Sequence, residues 1–261
     1  MTDPNTPQDG VSVLLCSNKA DDYMDIAVQS ILAQQYENFE LVIVANGQGA
    51  AAIQQKYGDA DPRIRVVTTA FKGLTTNLNI GLYFCKHELI ARMDADDIAR
   101  PERLAVQVRR FREAPRLTVC GSSYELIDLE GQFVKRMRPP LLDRDIRRAM
   151  CVRNPICHPS VMLRKAAVLK VGGYLTGLHA EDYDLWVRMA ADPTYVFENI
   201  DEPLIQYRQW STESRGSAAA YGTAMMTCAI AFLQGQGFGY LFGALAFSVK
   251  FLKARLATRV P

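Results

Sequence analysis

Residues 88–104 read ELIARMDADDIARPERL. The stretch 88–94 reads as a strand, and Asp94-Ala95-Asp96-Asp97 gathers three carboxylates at its end. Pro101 stands where the first residue of a helix belongs, opening a helix through Arg112. The same strand-then-helix unit recurs upstream. VSVLLCS at 11–17 reads as a buried strand, and FELVIVA at 39–45 and IRVVTT at 64–69 are two more. Tyr23, Ile26, Ala27, Ser30 and Ile31 recur at helical spacing behind Asp21 and Asp22, which suit a helix N-terminus. A helix fits 50–57, and another runs from Gly73 towards Lys86. Strands alternating with helices imply crossover connections, hence a mostly parallel α/β sheet covered on both faces.

The rhythm changes after Pro115. Residues 118–128 and 132–138 read as longer antiparallel strands around Glu130-Gly131, followed by helices near 143–150 and 181–191 and a strand at 195–200. No repeat or low-complexity linker interrupts the chain before residue 210, so 11–214 is expected to be one domain, preceded by a flexible 1–10 and followed by a helical tail, 215–261.

Composition narrows the function classes. With 49% hydrophobic and 22% charged residues in 261, the chain is neither disordered nor collagen-like. Cysteines at 16, 85, 120, 151, 157 and 228 form no CxxC pair. That spacing argues against a disulfide framework and a zinc ribbon and fits a reducing compartment. The opening MTDPNTPQDG has neither the basic nor the apolar region of a signal peptide, so a cytoplasmic location is expected.

The net charge of +2 is unevenly spread. Arg215, Lys250, Lys253, Arg255 and Arg259 face no acidic residue in the tail, which leaves the first 214 residues at about −3. A basic tail on an acidic body points to an anionic surface and away from nucleic acid. From Gly216 to Val249 no side chain is charged. A single span needs about 20 apolar residues, but Ala, Gly, Thr and Gln and the Gly235-Gln236-Gly237 turn favour two helices, about 218–233 and 239–258. In the second, Phe242, Leu245, Val249, Leu252 and Leu256 share a side, which suits a helix lying in a membrane interface. Packing on the domain or in a homodimer is the other reading.

The chemistry concentrates at DADD. Ligands of open parallel sheets bind beyond the carboxyl ends of strands. Three carboxylates there repel one another unless a cation or donor offsets the repulsion. Oxygen ligands suit Mg²⁺ or Mn²⁺ bridging to substrate phosphates. The alternative is an acidic cluster at a helix start, and the same two readings apply to Glu181-Asp182 at the head of EDYDLWVRM. Trp186 reads as core, and the two cysteines near His158, Cys151 and Cys157, as small apolar fillers. Arg208 either neutralises phosphate or solvates a strand end.

Taken in order, VSVLLCSNKADDYMDIAVQSILAQQYENFELVIVANG, KGLTTNLNIGL, ELIARMDADDIARPERL, NPICHPSVMLR, AEDYDLWVRMA and EPLIQYR resemble the family 2 glycosyltransferases over about 11–210. The resemblance implies a GT-A fold, a Rossmann-like sheet with helices on both faces. It also implies transfer of a sugar from a nucleotide-sugar donor with inversion, aided by Mn²⁺ or Mg²⁺. Asp96 then ligates the metal, Asp94 faces the nucleoside, and Asp182 with Glu181 beside it occupies the catalytic position. Ser17, Asn18, Asn46, Lys72 and His158 fall on segments that contact the nucleotide sugar. The acceptor expected is a glycan or a lipid-linked sugar in surface polysaccharide synthesis, met at the cytoplasmic face of the membrane.

Two departures stand out. The loop after the first strand reads Cys16-Ser17-Asn18 where the family has a PxYN-like sequence. The second strand ends in Ala45-Asn46-Gly47-Gln48 where the family has DDGS, so the carboxylate that meets the nucleotide base is missing. Asn46 still offers a carbonyl and an amide. The alternatives are a sugar-phosphate nucleotidyltransferase, for which 16–20 is a poor phosphate loop, and a degenerate nucleotide-binding module, for which the lost aspartate speaks.

Overall fold

The computed structural model describes residues 10–175, 179–210 and 217–257. The expected flexible N-terminus lies, up to residue 9, outside the described residues, as do Arg215, Gly216 and Arg259.

Four strands form the parallel half of one sheet: β1 (Val11–Ser17), β2 (Phe39–Asn46), β3 (Ile64–Thr69) and β4 (Leu89–Met93), in the order β3-β2-β1-β4. Their crossovers are α1 (Asp22–Leu32), α2 (Ala50–Tyr57) and α3 (Leu74–Phe84). Asp21 starts α1 by accepting the Met24 N–H at 3.1 Å. Side chains alternate across β1. Val11, Val13 and Leu15 pack with Met24, Ala27 and Ile31 of α1, while Leu14 on the other face meets Leu78 and Leu82 of α3. Both faces of β1 and β2 are therefore covered, which is why these two strands read as continuous apolar runs, while β3 at the edge is only partly buried.

The sheet continues as a mixed half. A two-residue β5 (Ile98–Ala99) and α4 (Arg103–Glu113) lead into the long β6 (Leu117–Ile127) and its hairpin partner β7 (Phe133–Met137), which turns at Gly131 with φ +83°. After α5 (Asp143–Met150), the short β8 (Met162–Arg164) joins β4 to β6, antiparallel to both. Then come α6 (Lys165–Lys170), α7 (Glu181–Ala190) and β9 (Val196–Arg208), which runs parallel to β6 and pairs with β5 at the edge.

Two expectations need correction. Pro101 lies in the turn before α4, not at its first residue, and Glu102 precedes Arg103 as the cap. The chain is still tied to its neighbours there: Arg100 N–H donates to the Leu204 carbonyl and Gln35 N–H to that of Pro101. The last strand does not stop at 200 but runs to Arg208, crossing Pro203 where its register against β6 slips between Ser122 and Ser123. A ladder can absorb a proline at such an irregularity. Elements as short as β5, β8 and α6 carry no readable period.

The tail forms α8 (Ala218–Leu233) and α9 (Phe238–Ala257), joined by a turn with Gly235 at φ +80° and Gly237 at +116°. The pair packs on α7, burying Ala224, Cys228, Ala231, Tyr240 and Phe247 against Tyr183 and Val187. Gly243 makes the approach feasible, since a Cβ there would lie 1.8 Å from the Cys151 carbonyl oxygen. The opposite side of α9 stays open: Phe242 is 66% exposed, and the exposed Leu245, Val249, Leu252 and Leu256 follow it at helical spacing, while α8 leaves Met226, Ile230 and Leu233 exposed. Among the described residues, no helix is long and apolar enough to cross a membrane.

Candidate active site

The carboxyl ends of β1, β2 and β4 point the same way, and the DADD turn follows β4 directly. Its three carboxylates come together, with one oxygen of each of Asp94, Asp96 and Asp97 within 4.8 Å of the others. Each is held from a different direction. The guanidinium of Arg92 pairs with Asp94. The backbone N–H of Arg208 donates to Asp97 Oδ1 at 2.8 Å. The indole Nε1 of Trp210 donates to Asp96 Oδ2 at 2.5 Å.

Asp97 caps no helix, because α4 begins only at Arg103; the helix-start reading of the cluster gives way. Arg208 does more than solvate a strand end. It is buried, donating through Nε to the Asp96 carbonyl at 3.0 Å and through Nη1 to those of Asp128 and Leu129 at 2.9 and 2.8 Å. It fixes the shape of the acidic turn.

The donor set fits a hard divalent cation. It is all oxygen, and Asp97 Oδ2 is buried without a hydrogen-bond partner among the described residues. Burial, and then repulsion from Asp94, raises the carboxyls of Asp96 and Asp97 above the ordinary range. A cation would relieve that repulsion.

Two cavities meet at this turn. The smaller, about 490 Å³, is walled by Ser17 and Asn18 after β1, Asn46 at the end of β2, Gly73, Asp96 and Trp210. The loops after β1 and β2 approach closely: a Cβ at Gly49 would sit 2.2 Å from the Asn18 carbonyl oxygen. Cys16 also lines this cavity, but burial pushes its thiol up to about 12, so it is no thiolate nucleophile. Lys72 is exposed beside Gly73, and its side chain is not among those lining either cavity.

The larger cavity, about 670 Å³, is lined by Glu181, Asp182, Asn154, His158, Arg92 and Tyr207 among others. Asp94 and Leu74 line both, so Asp96 lies on one side of Asp94 and Asp182 on the other.

Asp182 sits in the first turn of α7, just after Ala180, whose φ of 58° is left-handed and unusual outside glycine. Its Oδ1 accepts the Tyr183 N–H at 2.8 Å and its Oδ2 the Asn154 side-chain amide at 2.6 Å. Burial, and then the neighbouring Glu181, raises its carboxyl to about 6 despite those donors. The structural duty at this helix start falls instead to Asp184, paired at 2.8 Å with Arg188, which in turn holds the carbonyls of Val171 and Gly173.

His158 is buried, with Nε2 2.9 Å from the Tyr174 hydroxyl and its ring edge-on to Trp186. Burial and the Arg92 charge hold it well below the usual histidine range, so it is neutral. Trp186 is core, as expected. All six cysteines are free thiols, and Cys151 and Cys157 are only half-buried.

Four residues escaped the sequence reading: Arg92, Arg103, Asn154 and Trp210. Arg92 carried a signal, a lone charge in the apolar strand LIARM. It is 4% exposed and has Asp94 as its ion-pair partner. Arg103 is equally buried and holds the carbonyls of Arg92 and Val161 at 2.8 and 3.2 Å. Asn154 and Trp210 reach the site only through the fold, from segments 28 and 114 residues distant from their partners.

The chain is similar to known proteins in sequence and in fold. The model of the glycosyl transferase family 2 matches residues 12–173, a stretch that includes DADD and His158 and stops before Asp182. The O-antigen biosynthesis glycosyltransferase WbnJ of Escherichia coli is 35% identical over 217 residues, covering 82% of this chain and 85% of WbnJ. Among solved structures, S. aureus TarS 1–349 in complex with UDP-GlcNAc superposes with a TM-score of 0.64 at 17% identity, over 84% of this chain and 66% of that one. The mannosyltransferase PcManGT from Pyrobaculum calidifontis, in complex with GDP-Man and Mn²⁺, gives 0.61 at 18% identity, over 96% and 76%. These two likenesses concern the GT-A fold.

Proposed function

The chain belongs to glycosyl transferase family 2, and on that footing we propose that it moves a sugar, with inversion, from a nucleoside-diphosphate donor to a hydroxyl of a glycan or lipid-linked acceptor during surface polysaccharide synthesis. The observation that carries this reading is the placement of Asp94 between two cavities, with Asp96 and its acidic neighbours on one side and Asp182 on the other.

In this reading the donor's nucleotide lies along Ser17, Asn18 and Asn46, with its diphosphate near Asp96. A divalent cation, when bound by Asp96, would stabilise the charge that builds on the departing diphosphate. A sugar hydroxyl is a poor nucleophile at neutral pH, and a carboxylate with a pKa near 6 can take its proton as the new bond forms. Asp182 is that base. Asn154 and the Tyr183 N–H fix the direction of its lone pairs, and Glu181 beside it raises its proton affinity. Asn46, offering both a donor and an acceptor, stands where a base-reading aspartate would, so the donor base is a matter for assay. WbnJ's role in O-antigen biosynthesis supports the acceptor class. The family membership and the near-neutral Asp182 outweigh the degenerate and nucleotidyltransferase readings.

The tail supports a place at the cytoplasmic face of the membrane. Its exposed stripe from Phe242 to Leu256 is a contiguous apolar face. Lys250, Lys253 and Arg255 lie on the same helix, each worth about 1 kcal/mol near an anionic surface.

A panel of nucleotide sugars, incubated with Mn²⁺ and with or without EDTA, tests the reaction through slow donor hydrolysis. The expected result is release of nucleoside diphosphate from one donor, abolished by EDTA and by Asp182→Asn. Release that survives both would overturn the assignment.

A further inference from the structure

We propose that Trp210 is a positioning residue that competes with the divalent cation for Asp96, so that filling the metal site frees its indole from the acidic turn. The inference rests on the metal reading given above and adds a moving part to it.

An indole N–H is a donor only and cannot ligate a cation. Trp210 Nε1 nevertheless points at Asp96 Oδ2 from 2.5 Å, placing the positive end of an N–H dipole where a cation would take a lone pair. Carboxylate oxygens that bind a hard cation surrender that direction to it. The backbone before Trp210 is pinned: Arg208 N–H donates to Asp97, and Gln209 N–H donates to the Ile127 carbonyl at 2.9 Å. Release therefore needs only rotation of the Trp210 side chain.

That side chain is placed to rotate. It is 49% exposed on the rim of the smaller cavity, opposite Ser17, Asn18 and Asn46. Among the described residues its ring also meets that of Tyr23 in a T-shaped contact, with centroids 5.0 Å apart at 74°. Tyr23 is itself backed by the Arg208 guanidinium, 4.7 Å from its ring centroid. The same residue that guards the acidic turn can then swing over whatever fills the nucleotide cavity.

The chain has two tryptophans, and Trp186 is fully buried in the core. Full-length protein labelled with 5-fluorotryptophan therefore gives two ¹⁹F resonances, assigned by Trp210→Phe. Diamagnetic Mg²⁺ is added alone, then with UDP and with GDP. The Trp210 resonance is expected to shift and saturate while that of Trp186 stays. Calorimetry should show Trp210→Phe binding Mg²⁺ about tenfold more tightly, because a hydrogen bond to a charged group no longer has to be broken. Mg²⁺ binding of equal strength in both proteins with an unmoved Trp210 resonance overturns the latch and leaves the metal site standing. Failure of both proteins to bind Mg²⁺ under every condition overturns both.

Discussion

The Asn154 side-chain amide donates to Asp182 at 2.6 Å across 28 residues of sequence, and it holds in place a carboxyl that burial raises to about 6. That relationship makes the catalytic reading measurable. Transfer should rise with pH through about 6 as Asp182 loses its proton. Asp182→Asn should keep donor binding and lose roughly 10²–10⁴-fold in transfer. Asn154→Ala removes a donor to the ionised form, so its pH–rate midpoint should move upward. A midpoint that stays in place would remove Asn154 from the mechanism.

The same shift has a stability consequence. A carboxyl raised from 3.8 to about 6 stabilises the fold through its neutral form, fully below about pH 4, and loses that contribution as pH climbs through 6. Relative to wild type, Asp182→Asn should gain melting temperature at pH 7.5 and gain nothing from this source at pH 4. The ceiling is about 3 kcal/mol, at about 1.4 kcal/mol per pKa unit. Identical differences at both pH values would contradict the burial account.

Donor binding should depend on metal. Calorimetric titration of UDP and GDP is expected to give at least tenfold tighter binding of one of them with Mn²⁺ than with EDTA, and Asp96→Asn should erase the difference. Equal affinity in the two conditions would sink the metal role of Asp96.

Arg208 tests how the acidic turn keeps its shape. Arg208→Met removes three hydrogen bonds from a buried guanidinium to backbone carbonyls. It should cost about 2–4 kcal/mol in unfolding free energy and weaken Mn²⁺-dependent nucleotide binding as well. A variant that is destabilised yet binds metal and nucleotide normally would make Arg208 a purely structural residue.

For the tail, Phe242→Glu with Leu252→Glu should abolish flotation with anionic vesicles while leaving donor hydrolysis intact, because both side chains face away from α7. Neutralising Lys250 and Lys253 should weaken binding to anionic vesicles more than to neutral ones. If full-length protein stays unbound and truncation after Ser214 turns a dimer into a monomer, the exposed stripe is a subunit interface instead.

Much of this was legible in one dimension. The parallel half of the sheet could be read because strands covered on both faces must be apolar throughout, as VSVLLCS and FELVIVA are, and α1 because its core-facing residues recur every three or four positions. The tail's two helices and their glycine turn were equally plain. The sequence also put Asp94, Asp96 and Asp97 at a strand end, since local spacing fixes neighbours along the chain. It could not tell a metal cluster from a helix start there. The helix-start reading fell only with the fold, in which α4 begins at Arg103 and the N–H of Arg208, 111 residues away, takes an Asp97 oxygen. Nor could it find Asn154 beside Asp182, Trp210 against Asp96, or the side of α9 that docks on Tyr183 and Val187. Periodicity identifies which residues share a face. Which partner that face meets depends on how the chain folds back on itself, and long-range contacts leave no period in the sequence.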